Sequence, residues 1–165
     1  MATTKLAGNP VQLAGEFPEK QSIVKGLTAV KSDLSPLSLD DYKGKRKILN
    51  IFPSIDTDVC AVSVRTFNTK AASLENTHVI CLSFDLPFAH KRFCGAEGIE
   101  NVTTASLFRT PEVAKDLGVL IETGPLAGLT ARAVIVLDEN NTVLHAQMVE
   151  DIKNEPDYDA ALAVL

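Results

Sequence analysis

Apolar and polar positions change period along the chain in a way that predicts alternating strands and helices. Ile48-Leu-Asn-Ile-Phe52 and Thr77-His-Val-Ile-Cys-Leu-Ser-Phe84 are near-continuous apolar runs, the pattern of strands buried on both faces. Between them, residues 59–74 read as a helix. A further helical segment opens at Asp85-Leu-Pro-Phe and runs through Ala89 to Cys94, with Gly95 as its predicted stop. Residues 101–106 predict a short strand, and Thr110-Pro-Glu-Val-Ala-Lys-Asp-Leu-Gly118 carries the cap, proline and terminal glycine of a short helix. Residues 131–137, the turn Asp138-Glu-Asn-Asn141 and residues 143–149 form the clearest hairpin. A closing helix follows, opened by Glu155-Pro-Asp.

Earlier in the chain, Lys5-Leu-Ala-Gly-Asn-Pro-Val-Gln-Leu-Ala predicts two short strands about a Gly-Asn-Pro turn. Residues 27–30 read as a strand, 34–39 as a loop and 39–42 as a helical turn. Parallel βαβ units, a C-terminal antiparallel hairpin and a closing helix are the element order of a thioredoxin-like α/β fold: a central mixed sheet flanked by helices, here with an N-terminal β-hairpin. No repeat, linker or low-complexity tract interrupts the pattern, so residues 1–165 are expected to form one domain.

Composition narrows the function classes. The net charge is −5, with 45% hydrophobic and 22% charged residues, which argues against nucleic acid or an anionic membrane as the main partner, since both demand basic patches. The first ten residues lack the apolar core of a signal peptide and no stretch approaches a membrane span, so a cytoplasmic location is the expectation. Three cysteines in that compartment point to catalytic or redox-sensing thiols rather than a static disulfide framework. Metal binding is not expected: there is no Cys-x-x-Cys, His78 and Cys81 fall on opposite sides of a strand, and His90 with Cys94 makes half a site.

One cysteine stands out by position. An apolar strand runs into a Pro-containing loop that delivers Cys60 to the first turn of the predicted helix, where unpaired N–H groups and the helix dipole favour a thiolate. Asp56 and Asp58 flank it with negative charge that opposes this, so a cation must come from elsewhere. Arg65 is one candidate, more than a turn into the helix. Cys81, inside an apolar strand, reads as a core thiol.

The run Pro53-Ser-Ile-Asp-Thr57-Asp-Val-Cys60 resembles the peroxiredoxin motif Pro-x-x-x-Thr-x-x-Cys, and the resemblance extends through Phe93-Cys-Gly-Ala-Glu-Gly98 to Gly128-Leu-Thr-Ala-Arg-Ala-Val134. Within that family the chain is similar to the bacterial thiol peroxidases, atypical two-cysteine peroxiredoxins. The resemblance implies that Cys60 is the peroxidatic cysteine, Thr57 and Pro53 its pocket partners, Arg132 the activating arginine and Cys94 the resolving cysteine. Each role is physically sensible. Arg132, at the start of a strand, offers a permanent charge and several donors; the Thr57 hydroxyl could turn toward thiolate and peroxide; Pro53 shields a pocket without an N–H that needs a partner. Asp58 departs from the pattern, where a small residue such as Gly is expected.

The implied activity is thiol-dependent reduction of hydrogen peroxide and alkyl or lipid hydroperoxides through a Cys60 sulfenic acid and a Cys60–Cys94 disulfide. Thioredoxin is the implied reductant and a homodimer the implied assembly, with no metal, haem or flavin required. A disulfide needs Cα atoms within about 7 Å, so one or both cysteine segments are expected to unwind locally before the bond forms. Ile55, Val59, Phe84, Phe88 and Phe93 are candidates for an apolar substrate channel, or equally for core or dimer contacts. Two other functions fit a reactive thiol: a protein-disulfide oxidoreductase, which would favour the missing Cys-x-x-Cys, and a non-enzymatic redox switch.

Overall fold

The computed structural model describes residues 3–165; Met1 and Ala2, part of the expected domain, lie outside the described residues. In chain order the strands and helices are β1 (Thr4–Leu6), β2 (Asn9–Val11), β3 (Leu13–Ala14), β4 (Thr28–Lys31), β5 (Pro36–Ser38), a 3-10 turn (Leu39–Tyr42), β6 (Arg46–Ile51), α1 (Asp58–Ala71), β7 (Thr77–Ser83), α2 (Pro87–Glu97), β8 (Val102–Ser106), α3 (Glu112–Asp116), β9 (Leu120–Ile121), β10 (Ala133–Leu137), β11 (Val143–Met148) and α4 (Tyr158–Leu162).

Seven strands form the central sheet in the order β11-β10-β6-β7-β8-β4-β5. The β6–β7 and β7–β8 pairs are parallel and joined by helices, while β10 joins β6 antiparallel and continues into the β10–β11 hairpin. This is the mixed, helix-flanked sheet expected of a thioredoxin-like fold. β1 and β2 form the separate N-terminal hairpin, and β3 pairs with β9.

Strand alternation divides the core between the two faces. On one, Leu49, Ile51, Ile80, Leu82, Ile135 and Leu137 pack with Val113 and Ala114 of α3. On the other, Ile48, Val79, Cys81, Val134 and Val136 pack with Cys60, Ala61, Val64 and Phe67 of α1 and with Phe93 of α2. Phe67 has no exposed surface and meets Tyr158 of α4 edge-on at 5.1 Å, so the closing helix is held by α1 rather than by its own short length.

Several boundaries differ from the sequence reading. The N-terminal turn is Ala7-Gly8, both at positive φ, which puts Pro10 inside β2. Residues 36–38 are an edge strand rather than loop; Pro36 masks them because proline reads as a breaker but is tolerated at an edge. Gly95 does not stop α2. The helix runs on to Glu97 and ends at Gly98, whose φ of 65° supplies the left-handed cap. Gly15 and Gly118 are required by close approach: a Cβ at Gly15 would lie 1.8 Å from the Lys115 carbonyl oxygen, and one at Gly118 would lie 2.3 Å from the backbone of Glu16.

Candidate active site

The loop after β6 is built by hydrogen bonds that its own residues supply. Ser54 O accepts from the Thr57 N–H at 3.2 Å and from Thr57 Oγ1 at 2.9 Å, closing a turn that starts α1. Ala61 N–H then makes the first intrahelical bond to Thr57 O at 3.0 Å. The N–H of Cys60, in the first turn, therefore has no intrahelical partner.

Cys60 is fully buried and unbonded to any other cysteine. Among the described residues one side chain reaches its sulfur: Arg132 Nη2 donates to Cys60 Sγ at 3.1 Å. The guanidinium is itself 2% exposed and is oriented by its Nε, which donates to Ile152 O at 2.8 Å, while its buried Nη1 has no partner. No carboxylate pairs with Arg132 among the described residues, so Cys60 Sγ is the side-chain acceptor it reaches.

The two flanking carboxylates are drawn elsewhere. Asp56 accepts from Arg92 Nη2 at 2.7 Å, and Asp58 lies within the electrostatic reach of Arg65. Arg65 is bound bidentately to Glu97 at 2.9 and 3.0 Å and lies over the Phe93 ring, so it is not the cation at Cys60.

An apolar cleft of about 430 Å³ opens beside this pair. Pro53, Thr57, Val59 and Arg132 are at its thiol end, and Leu6, Leu126, Leu129 and Ile152 supply much of its apolar wall. Of the apolar residues suggested for a channel, Val59 alone lines it. Ile55 and Phe93 are buried in the core beneath α1, Phe84 packs on the opposite face of the sheet, and Phe88 is 64% exposed. The wall residues come from the N-terminal hairpin and from the segments before and after the β10–β11 hairpin, far in sequence from the cysteine motif. Pro53 is buried and lines the cleft. The Thr57 hydroxyl, expected to face the thiol, donates to Ser54 O, which leaves it free to accept, and Thr57 lines the cleft.

Cys94 lies within α2, half-buried, with its Sγ 3.9 Å from Thr104 Oγ1 of β8. Burial pushes its thiol up from the ordinary value. The partner of Cys60 precedes β10 and the partner of Cys94 is on β8, three strands away; at about 4.8 Å per strand those anchors are roughly 14 Å apart across the sheet. Cys81 sits on β7, where burial pushes its thiol up to about 12, and Asn50 Nδ2 lies 3.7 Å from its sulfur. Among the described residues no cluster of three metal-ligating side chains occurs.

A buried thiol at a helix start, held by an arginine just ahead of a central strand on a thioredoxin-like sheet, defines the peroxiredoxin class of redox proteins. The redoxin family model matches residues 3–162, so the chain belongs to the redoxin family. It is 53% identical to the thiol peroxidase of Corynebacterium glutamicum over all 165 residues and 99% of that protein. A peroxiredoxin-like protein from Aquifex aeolicus superposes with a TM-score of 0.92 at 37% identity, over 99% of this chain and 96% of that one. The thiol peroxidase from Chromobacterium violaceum shares the fold, with a TM-score of 0.91 at 22% identity over 98% and 94% of the two chains. Thiol-dependent peroxidase activity is the function these relationships support.

Proposed function

We propose that Cys60 is the peroxidatic cysteine and Cys94 the resolving cysteine of a single-domain peroxidase that reduces hydrogen peroxide and organic hydroperoxides. The Cys60 thiolate attacks the terminal peroxide oxygen, the O–O bond breaks, and the departing alkoxide or hydroxide takes a proton to leave as alcohol or water. The product on the protein is a sulfenic acid. Arg132 Nη1, the unpartnered donor, and the free N–H of Cys60 stabilise charge on the peroxide oxygens, and Thr57 Oγ1 accepts a hydrogen bond from the peroxide O–H, whose proton stays on the oxygen transferred to sulfur. Pro53 keeps water from that end of the cleft. The Arg132–Cys60 contact carries this assignment.

Cys94 then attacks the sulfenic sulfur, hydroxide leaves as water, and a Cys60–Cys94 disulfide results; an external dithiol reduces it by exchange. The separate anchoring of the two thiols supports a step in which α2 unwinds first. Thioredoxin is the proposed reductant, a homodimer the proposed assembly and the cytoplasm the proposed compartment. No metal, haem or flavin enters these steps, and no helix among the described residues is long and apolar enough to cross a membrane. An apolar cleft supports alkyl and lipid-like hydroperoxides as substrates.

Peptide mass mapping of the reduced protein after one equivalent of cumene hydroperoxide tests the proposal. A Cys60–Cys94 crosslink is expected. Unmodified thiols would reject the peroxidase mechanism in favour of the non-enzymatic binding switch.

A further inference from the structure

Asp85 follows β7 and has no part in the roles assigned above. Its side chain is 9% exposed, and its carboxylate accepts three hydrogen bonds. Two come from the loop that leads to Cys60: Ser54 Oγ at 2.8 Å and Ile55 N–H at 2.7 Å. The third comes from Ser83 Oγ at 2.6 Å. That Ser83 oxygen also lies 2.8 Å from Nε2 of His90, a fully buried residue on α2 one turn before Cys94.

Proton counting gives these contacts a direction. A hydroxyl has one proton and a carboxylate has none, so Ser83 donates to Asp85 and must accept from His90 Nε2–H. Ser83 Oγ also accepts the Asp85 N–H at 3.2 Å. His90 Nε2 is 3.7 Å from the carboxylate, too far for a hydrogen bond, and the buried Nδ1 has no partner. The imidazole of His90 is thus tied to the sheet at one point, the oxygen that Asp85 orients.

We propose that Asp85 is a positioning residue that couples the two half-reactions, holding the Cys60 loop in its peroxide-reactive form directly and holding α2 folded through Ser83 and His90. This rests on the assignment of Cys60 and Cys94 as peroxidatic and resolving. The loop arm keeps Ser54 and Ile55 in place, and Ser54 O in turn fixes the Thr57 turn that opens α1. The α2 arm retains Cys94 on the β8 side of the sheet until His90 lets go. Weakening Asp85 therefore has opposite effects on the two steps: the thiol is presented less well to peroxide, and the resolving helix is released more easily.

Asp85→Asn tests this, because the amide keeps the shape but loses the charge and sets N–H against surrounding donors. Quenched-flow reaction with cumene hydroperoxide, followed by mass spectrometry of alkylated thiols, reads sulfenic acid formation in a Cys94→Ser background and disulfide closure with Cys94 present. The expected result is sulfenic acid formation at least tenfold slower and closure at least threefold faster. Both rates unchanged, or both reduced by a common factor, would overturn the coupling. His90→Leu is expected to speed closure likewise, and His90→Gln, whose amide can still donate to Ser83, to restore it. If Asp85→Asn does not fold, Ser54→Ala must slow the first step and Ser83→Ala must speed the second; failure of either rejects the corresponding arm and the coupling with it. A wild-type chain that forms no Cys60–Cys94 disulfide overturns the assignment of Cys94, whereas normal disulfide formation that is indifferent to Asp85 overturns the coupling alone.

Discussion

Arg132 and Cys60, 72 residues apart in sequence, meet at 3.1 Å in a fully buried contact. Arg132 directly precedes β10 and alternates with Val134 and Val136, so it points to the α1 face of the sheet. The second anchor, Ile152 O on Nε, fixes the plane of the guanidinium and leaves both terminal nitrogens for the sulfur and its substrate. A planar, five-donor group can do both jobs at once.

Arg132→Lys keeps a positive charge but offers a single ammonium centre, which cannot serve Ile152 O and Cys60 Sγ together. Sulfenic acid formation is expected to slow by about 10² to 10³, the usual loss when an oriented donor is removed from a developing charge. Stopped-flow peroxide consumption by the Cys94→Ser and Cys94→Ser/Arg132→Lys chains measures the ratio. A loss below threefold would show that charge alone, not the fork, is what Cys60 needs.

Removing the proposed resolver separates the half-reactions. Cys94→Ser is expected to consume one equivalent of peroxide per chain and then stop in a thioredoxin-coupled assay, because its sulfenic acid has no internal thiol to condense with. Cys60→Ser is expected to consume none. Sustained turnover by Cys94→Ser would mean that Cys81 or the reductant itself resolves.

Cys81 has the opposite expectation. It has no exposed surface, and a thiol pushed up to about 12 stays protonated at neutral pH. Cys81→Ala should leave both rates within about twofold and lower unfolding free energy by about 1 to 2 kcal/mol through the small cavity it opens. Urea unfolding and the coupled assay on the same preparation check both parts.

Much of this arrangement was legible because it is written in short-range patterns. The apolar run into Pro53, the helix start at Cys60 and the alternation through Arg132, Val134 and Val136 are local signals. The cleft is not local: Leu6, Leu126, Leu129 and Ile152 come from three separate segments, and no period marks them as neighbours. Phe88 and Phe93 looked like channel residues because they sit near Cys94 in sequence, yet α2 turns one outward and the other into the core. Asp85 carried no signal either. An aspartate before Leu-Pro reads as a helix start, and only the folded chain shows its carboxylate turned inward to three donors.

Two exposed ion pairs tie α2 to the Cys60 segment, Arg92 to Asp56 and Glu97 to Arg65, one on either side of Cys94. Salt screens such pairs, so closure of the disulfide is expected to rise about twofold between roughly 0.05 M and 0.5 M ionic strength. Glu97→Gln should give part of that increase at low salt and flatten the remaining dependence. The alkylation time course after a peroxide pulse reads it directly, and a closure rate that falls with salt would show that these pairs do not restrain α2.

The carboxylate of Asp85 also sets an acid limit on stability. Burial raises its pKa, but the His90 imidazole 3.7 Å away and the three accepted hydrogen bonds together outweigh that and lower it from the ordinary aspartate value to about 2. A folded-state pKa below the unfolded one means that the folded chain binds the proton less readily. The resulting stabilisation is therefore complete above the unfolded value near 4 and is lost as pH falls toward 2; the shift corresponds to roughly 2 kcal/mol. Asp85→Asn removes the titration. Its destabilisation relative to wild type should be largest and constant from pH 7 to about 5, then shrink by roughly 2 kcal/mol as the pH approaches 2. Urea midpoints for both chains at pH 7, 5, 4 and 3 test the sign: a gap that stays flat or widens in acid would mean that the folded protein does not favour the ionised Asp85.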